Sequence, residues 1–88
     1  MKRLATFSET VLAKGQTIII FDKRFLDIWY ITIDEIWNED NRLPEFYSVT
    51  ISFFDIKTQE MVFEGNAEIT KDQLEETIKS YGEVIAIL

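Results

Sequence analysis

Sixteen carboxylates stand in this 88-residue sequence with no histidine or cysteine among them. That inventory limits the chemistry the chain can do. Without histidine there is no Ser-His-Asp triad, and the commonest general base near neutral pH is missing. Without cysteine there is no thiolate nucleophile and no disulfide framework. Zinc sites draw mainly on those two residues, so a zinc centre is not expected. Acid–base work would fall to carboxylates, lysines or tyrosines with displaced pKa values, and no spacing singles out such a pair. The expectation is a protein that is not an enzyme and has no cofactor or metal.

The acids fall into two groups with a different use. Asp34, Glu35, Glu39, Asp40 and Glu45 flank Trp37 in "IDEIWNEDNRLPE". No register of this run places glycine sixth and glutamate twelfth, so it is not an EF-hand loop. Glu60, Glu64 and Glu68 recur every four residues through "EMVFEGNAEI". On a strand that spacing predicts a single outward row of carboxylates, able to imitate phosphates or clamp a basic groove. A plain solvated face, or charge that discourages edge pairing, gives the same pattern. Trp37 is a candidate anchor beside the acids, since tryptophan is enriched in interface hot spots. Val62 and Phe54 are expected on the same outer face as the glutamates. The candidate partner-binding set is therefore Asp34, Glu35, Trp37, Glu39, Asp40, Phe54, Glu60, Val62, Glu64 and Glu68.

Strands must position these residues. "YSVTISF" (47–53) alternates apolar and hydroxyl residues, the period of a half-buried strand. "EMVFEGNAEI" (60–69) alternates too, with a turn around Lys57 and Thr58 between them. The expected register pairs Phe53 with Met61, Ile51 with Phe63 and Tyr47 with Ala67, putting Met61, Phe63, Ala67 and Ile69 in the core and the glutamates outside. Gly65 is expected to mark a bulge or a close approach. Residues 26–33 are apolar on both faces, as in a central strand, and the pattern fails at Asp34 and Glu35, where a loop is expected. "QTIIIFD" is a further strand, joined to residues 26–33 through "DKRF". Residues 4–12 fit a short helix stopped by Gly15, or a hairpin arm turning at "KGQ"; the helix is preferred.

"TKDQLEETIKSYG" (70–82) predicts a helix with Thr70 and Gln73 as capping box, a Leu74–Ile78–Tyr81 stripe, and Gly82 as its end. The apolar "VIAIL" (84–88) must then enter the sheet or a partner. The fold class is α+β: an antiparallel sheet of four to five strands with the helix on one face, in a single domain over residues 1–88.

Charge divides along the chain. Residues 1–26 carry a net +3 and the remainder −10, giving −7 overall. Free nucleic acid would be repelled by the acidic part, so a basic protein partner is expected. Lys2, Arg3, Lys23 and Arg24 are too few for a nucleic-acid footprint and are read as offsetting the acids or orienting self-association. No apolar run reaches the ~18 residues of a membrane span, and Ser8, Glu9 and Thr10 interrupt any export signal; a cytoplasmic setting is expected. These features favour a small binding or inhibitor protein with an acidic face toward a nucleic-acid-handling protein, as nucleic-acid mimics, immunity proteins and phage anti-defence proteins have. The alternative is a self-associating accessory subunit, a homodimer through its C-terminal apolar strand.

Overall fold

In the computed structural model, residues 12–37 and 46–88 are described. Five strands, β1 (Thr17–Asp22), β2 (Asp27–Trp37), β3 (Phe46–Asp55), β4 (Glu60–Thr70) and β5 (Glu83–Ile87), surround one helix, α1 (Lys71–Tyr81), in chain order. They form one antiparallel sheet in the order β4-β3-β2-β1-β5. The α+β class, the helix in the C-terminal half and the sheet are as the sequence predicts. The expected N-terminal helix lies outside the described residues except for Leu12, which is buried in the core.

The core is one-sided. Ile18, Ile20, Ile31, Ile33, Tyr47, Val49 and Ile51 project from β1, β2 and β3 toward α1, which answers with Leu74 and Ile78. Strand periodicity on one side and the 3.6-residue helical stripe on the other bring these rows together. β5 carries "VIAIL" into the sheet against β1, and Thr17 and Leu88 exchange backbone hydrogen bonds of 3.0 and 2.9 Å.

The junction from β4 to α1 is set locally. Thr70 accepts from the Gln73 amide (3.2 Å) and Gln73 Oε1 accepts from the Thr70 amide (2.9 Å), a complete capping box. Thr70→Ala should cost about 1 kcal/mol in urea unfolding, the usual value of such a cap; an unchanged midpoint would remove the cap from the account. At the other end the Gly82 amide bonds the Ile78 carbonyl at 3.1 Å, and the backbone passes against β1.

The sequence-derived hairpin register needs correction. Tyr47 pairs with Ile69, Val49 with Ala67 and Ile51 with Gly65, whereas Ser52 pairs with Phe63, Phe53 with Val62 and Phe54 with Met61. A bulge at Glu64–Gly65 separates the two halves, as the glycine suggested. Relative to the expected register, the Tyr47 end is displaced by two residues and the Phe53 end by one. A two-residue slip preserves faces and a one-residue slip reverses them. Ala67 and Ile69 accordingly face the core, but Met61 and Phe63 point away from it. A second bulge, at Asp34 in β2, corrects the other boundary: pairing resumes as Glu35–Ser48, Ile36–Tyr47 and Trp37–Phe46. The failed alternation at Asp34 and Glu35 is one extra residue in a strand that continues to Trp37, not its end.

Candidate protein-docking face

Among the described residues α1 covers one side of the sheet and no element covers the other, whose side chains the ladder pairings sort into rows. The first row runs Glu83–Phe21–Ile28–Phe54–Met61 and the second Ala86–Ile19–Tyr30–Ser52–Phe63. The third is polar: Thr17–Thr32–Thr50–Asn66. The fourth is Glu35–Ser48–Glu68 and the fifth Trp37–Phe46–Thr70. The first two rows are therefore apolar except for Glu83 at the β5 edge, the fourth is acidic, and a band of hydroxyls and an amide lies between them.

The apolar end is substantially exposed: Phe63 is 65% accessible, Met61 59%, and Ile85 beside the second row 57%. Single exposed apolar residues need no explanation, but adjacent rows of them mark a surface built to be covered. The polar band is internally bonded. The Thr17 and Thr32 hydroxyls meet at 3.0 Å, Asn66 Nδ2 donates to Thr50 Oγ1 at 2.8 Å, and Thr50 donates to Asp34 Oδ2 at 2.5 Å. The Asp34 bulge thus directs both Asp34 and Glu35 to the open side. Lys14 reaches Glu35 at 2.8 Å, with both side chains well exposed, so the pair contributes little stability.

Of the sequence-derived candidates, Asp34, Glu35, Trp37, Phe54 and Glu68 share this face. Val62 does not: it pairs with Phe53 on the helix side. Glu60 is beside Asp55 on that side as well, and Glu64 is the extra residue of the bulge, close enough to Tyr81 to act on its charge. The expected single row of Glu60, Glu64 and Glu68 is hence split between two faces, because the bulge makes Glu64 an extra residue between the first and third glutamates. Glu39 and Asp40 lie outside the described residues. Sequence reasoning missed Met61, Phe63, Ile28 and Tyr30 as surface residues; the glycine within β4 was the one signal that could have exposed the first two.

The helix side shows how the remaining polar groups are used. Trp29 stacks on Tyr81 (ring centroids 4.0 Å, planes 6° apart) and tilts against Phe53 at 4.6 Å, its buried indole nitrogen having no hydrogen-bond partner among the described residues. Burial, with the Glu64 charge, pushes the Tyr81 hydroxyl above the usual tyrosine range. At the β1–β2 turn, Arg24 grips Asp22 through Nε (3.1 Å), Nη2 (3.2 Å) and its amide (3.0 Å), and Nη2 donates to the Ser80 carbonyl at 2.9 Å. The Arg24 hydrogen bond holds the Asp22 carboxyl below its usual range against the opposing effect of burial. At the β3–β4 turn burial likewise opposes ionisation of Asp55, but hydrogen bonds from Lys57 outweigh it and the pKa falls. Lys57 also donates to the Phe25 carbonyl, tying the two turns together.

A cleft of about 310 Å³ beside Phe21, Lys79 and Gly82 has this Asp22–Arg24 pair in its wall. Asp22 and Arg24 are occupied with each other, and Lys23, Lys79 and Glu83 complete its charged lining. Among the described residues no group of three or more acids is placed to hold a metal ion, and no helix is long and apolar enough to cross a membrane.

Fold and site together define a class by geometry: a five-stranded antiparallel α+β fold with one sheet face covered by a helix and the other, among the described residues, uncovered. No protein-family model, curated protein or solved structure matches the chain.

Proposed function

We propose that this chain is a non-enzymatic binding protein whose working surface is the open face of its sheet. The observation that carries the reading is the pair of uncovered apolar rows, with Phe63 and Met61 more than half exposed, next to a border of Asp34, Glu35 and Glu68. An apolar centre supplies affinity through burial, at about 25 cal/mol per Å² before the costs of association. A charged border chiefly sets orientation and on-rate. The partner is a protein surface with an apolar patch and basic residues opposite the acids. An inhibitor of a basic nucleic-acid-handling protein would work by steric occlusion through this same face, with Trp37 and Phe54 among its anchors. The lack of cysteine suits a cytoplasmic setting.

The test compares two substitution sets in a tagged chain offered both an untagged copy and an extract of the host. Phe54→Lys with Phe63→Lys should abolish capture, while Glu60→Lys with Glu64→Lys, on the helix side, should leave it within about threefold. Capture that survives the first pair, or is lost only with the second, would overturn the reading.

A further inference from the structure

We infer that the occupant of the open face is a second copy of this chain, stacked face to face about a two-fold axis that runs midway between the two sheets, parallel to them and perpendicular to their strands. The inference rests on the proposed docking role of that face and names its partner.

Charge toward the two ends of the face carries the inference. Lys23, in the β1–β2 turn, and Lys57, in the β3–β4 turn, stand just beyond the first apolar row. Glu35 on β2 and Glu68 on β4 form the fourth row, one row short of the opposite end. A two-fold axis between the first and second rows reverses strand direction and keeps each strand over its counterpart. The β1–β2 turn of one copy then overlies the acidic end of β1 and β2 in the other, and the β3–β4 turn overlies the acidic end of β3 and β4. Lys23 meets the second copy's Glu35, and Lys57 meets its Glu68.

The spacings agree. At ~3.3 Å per residue the acidic row lies about 17 Å from this axis and the two turns about 10–13 Å on the other side. The remaining gap is within the span of a lysine side chain. An axis parallel to the strands would instead set the two acidic rows against each other, which is repulsive. Among the described residues Lys23 and Glu68 make no ion pair, so each brings a free charge to the contact; their counterparts across it, Glu35 and Lys57, are also reached by Lys14 and Asp55 of their own chain.

The middle of the face is suited to the same contact. Phe21, Ile28, Phe54 and Met61 of one copy cover Ile19, Tyr30, Ser52 and Phe63 of the other, and Glu83, at the β5 edge of the first row, lies over Ala86. Five strands at ~4.8 Å spacing are about 24 Å wide, so the overlap projects to roughly 600 Å² per copy before side-chain relief is added. That is near the ~800 Å² per partner of a stable interface. The product is a β-sandwich of two sheets about 10 Å apart with a helix on each outer side.

Sedimentation equilibrium over a concentration series tests it on the full chain. The wild type should pass from one chain mass to two. Phe63→Lys, at a position 65% exposed and so harmless to the monomer fold, should raise the dissociation constant at least 30-fold, as for a hot-spot loss, with an unchanged circular dichroism spectrum. Lys23→Glu with Lys57→Glu in one chain, and Glu35→Lys with Glu68→Lys in another, should each weaken the homodimer, and an equimolar mixture should recover a two-chain species. A wild type that stays one chain at every concentration overturns the inference, as does a dimer indifferent to Phe63→Lys or a mixture that recovers nothing. A one-chain wild type that still captures another protein through Phe54 and Phe63 would sink the second copy and leave the docking role intact. Loss of both would remove the docking role itself.

Discussion

Gly82→Ala should destabilise this protein by about 4 kcal/mol, far more than the same change at Gly65. Both glycines have φ = 154°, a conformation that side-chain-bearing residues adopt only with strain of ~1–3 kcal/mol. Their surroundings differ. A Cβ added at Gly65 has nothing within 4 Å, because the β4 bulge stands at the sheet edge. A Cβ at Gly82 would come within 2.2 Å of the Phe21 carbonyl oxygen and 2.9 Å of its carbon. Those atoms belong to the backbone of β1, which is fixed by β2 on one side and β5 on the other, so no side-chain rotation relieves the clash. Overpacking of that kind adds ~1–3 kcal/mol or more. The total is a large share of the ~5–15 kcal/mol available to a typical domain. Urea unfolding of both variants measures the difference directly. Equal losses at the two positions would mean that the close passage of the helix end over β1 is wrong, and with it the placement of β5.

Leu74→Ala is expected to cost about 3 kcal/mol, within the ~2–5 kcal/mol range for emptying a fully buried leucine site. Leu74 is completely buried and Ile78 nearly so, and these two residues are the helix's principal hold on the sheet. An 11-residue helix is too short to be stable by itself in water, so its packing and the helix are lost together. Tyr81 at the end of the same helix stacks on Trp29, which gives a second readout: tryptophan emission should change in the variant well below the global unfolding midpoint. Ile78→Val, removing one methylene, should cost only ~0.5–1.5 kcal/mol. A Leu74→Ala loss below 1 kcal/mol would show that the helix is held by something other than this stripe.

The sequence by itself determined the elements whose information is local. The capping box needs only Thr70 and Gln73 three residues apart, and the stripe needs only 3.6-residue spacing, so α1 was legible to within a residue. The β1 strand, its connection through "DKRF" and the turn around Lys57 and Thr58 followed from the strand runs, and the cost of leaving apolar chain in water required "VIAIL" to enter the sheet or a partner; the structure has it in the sheet. The helix-or-hairpin question for residues 4–12 had no such local arbiter. Only the tertiary structure decided which face each residue serves. A strand's two faces differ by a single residue of register, and both bulges, at Asp34 and at Glu64–Gly65, are settled by pairing with β3 rather than by their own sequence. That one-residue insertion divided the glutamates of β4 and turned Met61 and Phe63 outward. The candidate surface moved with them, from a row of acids on one strand to an apolar sheet face with acids at its border. Alternation reveals that a strand has two faces; the long-range pairing of strands, which minimises total buried polar surface, chooses which of them the helix covers.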